Sequence, residues 1–267
     1  MDFRLSNEQE MLRTGLTKFL AARYDLNRSR AAAKTGDGWQ PEIWRAFADE
    51  LGILGAALTE DAGGIGGGPV EVMVIAEALG YALVIEPFVD TAVVAAGLLS
   101  RAGGDRAAEV LQRIAAGQAI VALAAAEEQS GEHWLDVATT AHCDGTGWVL
   151  RGSKMMVISA PLATHLLISA RSENGVSLFL VDVDGHADGV DSGLRMHGYR
   201  TVDDRRAADL VLTDLRVPAD ALLGREGEAW PSLAQARDEG AAAVCAEAVG
   251  AMRRVLADTV EYCKQRQ

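Results

Sequence analysis

The chain has 267 residues, 49% hydrophobic and 24% charged, with a formal net charge of −13. That balance belongs to a globular protein with a sizeable core, and it excludes a disordered chain. The acidic charge, with no basic face, argues against a nucleic-acid binder, and charge or glycine interrupts every apolar stretch too often for a membrane span.

Residues 1–118 read as helical. Ser6, followed three residues later by Gln9, is a capping box. Leu12, Leu16, Phe19 and Leu20 then place one apolar stripe on the helix it opens. Pro41 suits the first turn of a second helix, with Ile43, Trp44, Phe47 and Leu51 inward. A glycine-rich loop, Gly63 to Pro69, leads to helical patterns around 70–84 and 88–117. From 119 the pattern turns to strands: Ile120 to Leu123, Trp148 to Leu150, His165 to Ile168 and Leu178 to Val181 are short apolar runs, and Ala208 to Val217 alternates in part. Asp144-Gly145, Asn174-Gly175 and Asp184-Gly185 are turn signals between them. Regular short strands with such turns predict an antiparallel β-barrel or sandwich over 119–222. Residues 223–267 are helical again and rich in alanine. No glycine cap, proline or polar tail closes that helix, so it reads as the start of a helical bundle present only in part. Its uncovered apolar face is expected to meet further helices or a partner. The fold class is therefore α+β in three parts, 1–118, 119–222 and 223–267.

Most candidate sites fail on chemistry. The glycine-rich loop lacks the Gly-Lys-Ser/Thr ending of a phosphate loop and follows a helix rather than a strand, so it reads as a helix–helix connection. His133, His142, His165, His186 and His197 never stand four apart with a Glu between, and no metal site is assigned. His165, in an apolar run, reads as a satisfied strand residue. No Gly-x-Ser-x-Gly elbow is present. Cys143, Cys245 and Cys263 lack metal-ligand or redox spacing and read as reduced thiols. Met1 to Ser6 shows no apolar signal region, which agrees with a cytoplasmic protein. The most specific segment is Leu150 to Ala163, an apolar run, a glycine turn, Lys154 and a second apolar run. Alone it reads as a hairpin strand.

Its neighbours add to that. Thr59-Glu60-Asp61-Ala62-Gly63-Gly64 and Glu77-Ala78-Leu79-Gly80 lie in the helical part. Gly152, Lys154, Val157, Ala160 and Ala163 mark the strand, and Val217-Pro218-Ala219-Asp220 with Leu223-Gly224 closes the β part. Ala248-Val249-Gly250-Ala251 and Tyr262 to Arg266 lie on the last helix. Together they resemble the acyl-CoA dehydrogenases over essentially the whole chain. Tyr199 to Asp203, Arg205 to Ala208 and Cys245 to Gly250 look most similar to the pimeloyl-CoA dehydrogenase small-subunit group.

The resemblance implies an N-terminal helical domain, a middle β-barrel and a C-terminal four-helix bundle. It also implies FAD, a homo- or hetero-oligomer with a large-subunit partner, an acyl- or dicarboxylyl-CoA substrate, and electron-transfer flavoprotein as acceptor. The reaction is α,β-desaturation, in which a carboxylate base takes the α proton in a dry site and the flavin takes hydride. Five positions match the family's flavin contacts. Ala126 stands where the family has Thr and Glu132 where it has Ser. Met156 replaces an aromatic and Ile158 a Thr, while Arg266 matches an arginine that reaches the FAD diphosphate across a subunit interface. Backbone contacts survive those changes, and the lost hydroxyl bonds do not. One of the family's two base positions falls on Gly240, ten residues before Gly250. Glycine is no base. Glu239 is turned away by about 100° of helix, and it and Asp238 read as solvated helix-face charges. No catalytic base is assigned. A desaturating subunit and a non-catalytic structural partner that completes a heteromer therefore both stand, with an altered flavin chemistry such as acyl-CoA oxidation as a third reading.

Overall fold

A computed structural model describes residues 4–34, 38–130, 133–183 and 193–266. Glu132, the Asp184-Gly185 turn signal and His186 lie outside the described residues.

The helical half follows its sequence signals. Ser6 caps α1 (Asn7–Arg23) as a full capping box, which buries Leu16 and Leu20 on one side. After α2 (Leu26–Lys34), Pro41 opens α3 (Pro41–Asp49) and turns Ile43, Trp44 and Phe47 into the core. The glycine-rich loop connects to α4 (Pro69–Ala82). The single helical pattern at 88–117 resolves into three pieces. A π-helical stretch, Phe88–Ala95, runs into α5 (Ala96–Ala102), and α6 (Asp105–Ala115) follows. The break falls at Gly103-Gly104, whose backbones take positive φ of 68° and 86° and so leave the helix.

The β half is one sheet. Its strands are β1 (Val121–Ala124), β2 (Thr140–Cys143), β3 (Gly147–Ile158) and β4 (His165–Ser172), then β5 (Gly175–Asp182), β6 (Leu194–Arg200), β7 (Arg206–Pro218) and β8 (Leu222–Leu223). They run in the order β6-β7-β3-β2-β4-β5-β8, and β1 pairs with β4. The expected antiparallel barrel is corrected here to an open, mixed sheet. The tight turns do give antiparallel β2–β3 and β4–β5 hairpins. Beyond them, β1 lies parallel to β4, Val121 opposite His165, and β2 meets β4 in parallel at Thr140 and Arg171. Parallel pairing needs a long connection, and the stretches between β1, β2 and β4 supply it. The sheet's inner face is packed around Leu150, Phe179 and Leu215, with Trp148 edge-on to Phe179 at 5.2 Å.

The last element, α7 (Trp230–Gln265), lies on α4 and the π-helical stretch. Its first part buries Leu233, Ala236, Gly240, Ala243, Ala246 and Gly250. Met252, Val255, Leu256 and Tyr262 beyond are exposed, in line with the uncovered face expected from sequence. The two helices touch backbone to backbone. A Cβ at Gly80 would strike the Glu247 backbone, and one at Gly250 would strike the Glu77 carbonyl. No described helix is long and apolar enough to cross a membrane.

Candidate functional site

Lys154 is sealed inside the sheet at 0% exposure. Its Nζ donates to Glu127 Oε1 at 2.6 Å and to Ser169 Oγ at 3.0 Å. Glu127, 4% exposed, also accepts from the Ala138 and Thr139 backbone N–H groups and from Gln129 Nε2. Burial alone would raise the Glu127 carboxyl. The Lys154 hydrogen bond and charge, with Gln129 and Thr139, outweigh it and hold the group at about 2. Burial pushes the Lys154 ammonium down to about 8, against the pull of Glu127. With the ammonium engaged by Glu127 and Ser169, and the carboxylate also held by the Ala138 and Thr139 N–H groups, the pair acts as a structural clamp. It fastens the 126–130 segment onto β3, where the Met155 N–H donates to the Ala126 carbonyl at 2.9 Å. Sequence reading singled out Lys154 but not Glu127, because nothing local links residues 27 positions apart.

The clamp supports a shelf at the end of β3. The β3–β7 register shifts between Lys154 and Val157, and this bulge swings Met156 outward at φ 50° and 60% exposure. The Met156 N–H donates to Asp209 Oδ1, which also accepts from the Tyr199 hydroxyl, each at 2.9 Å. Ala126 and Ile158 are half-buried beside it. The shelf therefore gathers Ala126, Met156 and Ile158. Met156 is open to solvent there, and positions 126 and 158 carry no side-chain hydroxyl. Arg266 is not brought to it within this chain. It lies at the exposed end of α7, bonded to Tyr262 of the same helix.

A second feature adjoins the shelf. Ser159, just past β3, donates its hydroxyl to Asp90 Oδ2 of the π-helical stretch at 2.8 Å. Two residues further along that stretch, Ala92 and Val93 line a cavity of about 900 Å³ between α4, the π-helical stretch, α5 and α7. Its walls are mostly alkyl, with one polar side formed by Ser100, Arg101, Gln235, Asp238 and Glu239. Glu239 is not the solvated charge expected from sequence. Arg101 Nη1 grips both its carboxylate oxygens at 3.0 Å, and Gln235 Nε2 donates to it at 2.8 Å. The pair was not legible because α5 and α7 lie far apart in the chain. Asp238 is exposed, as expected. Gly240 is buried against the π-helical stretch, where a Cβ would come within 2.8 Å of Val94 Cγ2. His165 is satisfied as expected, with Nδ1 2.7 Å from Thr164 Oγ1 and Nε2 3.0 Å from Asp182 Oδ1.

Comparison with known families follows the same division. The acyl-CoA dehydrogenase N-terminal domain matches residues 6–118, and the acyl-CoA dehydrogenase middle domain matches residues 122–215. The chain belongs to the acyl-CoA dehydrogenase family. Its relatives are oxidoreductases, and FAD is the family's cofactor. Acyl-CoA dehydrogenase FadE12 of Mycobacterium tuberculosis is 29% identical over 98% of this chain and 68% of that protein. Among solved structures, a variant of the Tcur3481-Tcur3483 steroid ACAD is 29% identical with a TM-score of 0.84, over 97% of this chain and 67% of that one. A glutaryl-CoA dehydrogenase from Mycobacterium smegmatis in complex with FADH2 has a TM-score of 0.87 over 98% of this chain and 67% of that one; at 24% identity it supports the fold alone. The chain thus spans about two thirds of the length of these acyl-CoA dehydrogenases.

Proposed function

We propose that this acyl-CoA dehydrogenase chain is a subunit of an oligomeric enzyme that desaturates the α,β bond of an acyl-CoA thioester. The observation that carries this reading is the π-helical stretch. Through Asp90 it holds the end of β3, and through Ala92 and Val93 it walls the cavity. In this reading one element links the proposed flavin shelf to the proposed acyl space, as a hydride transfer requires. FAD, when bound, supplies the hydride acceptor. Ala126, Met156 and Ile158 position its ring system, and Arg266 reaches the diphosphate of a neighbouring subunit. The alkyl cavity walls exclude water from the acyl chain. Electron-transfer flavoprotein is the proposed acceptor of the electrons, and the cytoplasm the proposed location.

No described residue is proposed as the base that takes the α proton. Gly240 offers no carboxylate, and its contact with Val94 leaves no room for one without repacking. That contact favours a second reading, in which this chain is the non-catalytic partner in a heteromer and the base comes from the other subunit. An anaerobic titration separates the two. If the FAD-loaded chain loses its visible flavin absorbance on adding long-chain acyl-CoA, the desaturating reading holds. If bleaching needs an added partner subunit, the second reading holds. If neither bleaches with any acyl-CoA, both fail.

A further inference from the structure

The polar side of the cavity has a particular charge balance. The Arg101 charge is matched on the spot, because Nη1 holds both oxygens of Glu239 and Nη2 approaches the Ser232 carbonyl at 3.4 Å. Gly97 keeps this arrangement close-fitting, since a Cβ there would lie 2.8 Å from Glu239 Oε2 and 3.1 Å from Arg101 Nη2. Asp238 adds a further negative charge on the rim, met at 3.3 Å by its neighbour Arg237. The Arg101 Nε–H has no partner among the described residues, but that atom is buried, and the other hydrogen-bonding groups left over are neutral. The Ser100 hydroxyl has no partner among the described residues, and Gln235 uses its N–H on Glu239 while its carbonyl accepts from no described residue. The remaining wall is alkyl, including Leu58, Val72, Met73 and Val93.

We infer that this wall reads an uncharged hydrogen-bonding group, a hydroxyl or ketone, on the distal part of the acyl chain, and turns away a terminal carboxylate. The inference rests on the reading of the cavity as the acyl site. A hydroxyl accepts from Ser100 and donates to the Gln235 carbonyl or to Glu239, and a ketone accepts from Ser100. A carboxylate there finds its one cation already paired and meets Glu239 and Asp238 as like charges. Desolvating it without a partner is costly. The volume suits this class, because about 900 Å³ lies near the top of the usual range for small-molecule sites. A straight saturated chain would leave much of the polar side unused.

The test uses three CoA thioesters that share one acyl chain and end in methyl, hydroxyl or carboxylate, at a medium and a long chain length. Calorimetric titration of the whole chain reads their affinities. The hydroxyl end is expected to bind tightest, and the carboxylate end about tenfold more weakly than the methyl end. In Glu239→Gln the Arg101 charge is freed, and the order is expected to reverse in favour of the carboxylate. Ser100→Ala, on an exposed helix end, removes the advantage of the hydroxyl and leaves the carboxylate rejected. A carboxylate preference in the parent chain, or affinities that ignore the end group, overturns the inference alone. If none of the three thioesters binds, the acyl reading of the cavity falls, and this inference falls with it.

Discussion

Replacing Lys154 by methionine is expected to cost about 3–5 kcal/mol, the range for breaking a buried ion pair by removing one partner. Methionine fills much of the lysine's volume, so the loss comes from charge rather than from a cavity. Glu127 would remain as a carboxylate at 4% exposure, with backbone and Gln129 donors but no cation. The affected structure is the shelf proposed for flavin, because the pair holds the 126–130 segment against Met155. Urea unfolding at neutral pH measures the loss, and a change below about 1 kcal/mol would mean that the clamp is not structural. The pH dependence has a definite sign. The Glu127 carboxyl is depressed from 4.5 to about 2 in the folded chain. Its contribution is present above the unfolded value and is lost as pH falls from about 4.5 toward 2. The parent chain should lose stability in that window more steeply than Lys154→Met, in which the pair no longer depresses the carboxyl.

The second large effect concerns the crossing of α4 and α7. Gly250→Ala adds one methyl, which as a helix former should gain up to about 1 kcal/mol over glycine. Here it meets the Glu77 carbonyl and the Tyr81 backbone of α4. Backbone atoms cannot rotate aside, so α7 must move off, and overpacking of this kind costs about 1–3 kcal/mol or more. The overlap should win, with a net loss of about 2 kcal/mol and a Tm lower by about 5 °C. Because α7 forms one wall of the cavity, acyl-CoA binding should weaken in parallel. Gly15→Ala is the matched control, since nothing lies within 4 Å of a Cβ on that exposed helix position. It should leave Tm unchanged or raise it. A Gly250→Ala chain that also melts no lower would show that the two helices are not packed at their glycines.

Local signals in the sequence carried much of the fold. The Ser6–Gln9 box, Pro41 and the Asn174-Gly175 turn act over a few residues, and the structure realises each of them. The sheet's parallel pairings were not legible, because Val121 and His165 meet through a long excursion that no turn residue marks. The split of 88–117 was missed for a different reason: apolar periodicity ran through two glycines whose positive φ ends the helix. At the site, Lys154 stood out by its position between two apolar runs, yet its partner Glu127 did not. The Arg101–Glu239 pair was likewise hidden, since it joins α5 to α7 across most of the chain. The Gly240 position was legible as a missing carboxylate, and the structure adds that Val94 occupies the space beside it.

The most direct measurement is the visible absorbance of the purified chain after reconstitution with excess FAD and removal of the unbound fraction, with FAD quantified per chain. The shelf of Ala126, Met156 and Ile158 predicts a yellow protein approaching one FAD per chain, alone or on adding a partner subunit, and Lys154→Met should hold markedly less. A chain that stays colourless under both conditions would contradict the assignment of the β3 shelf to flavin.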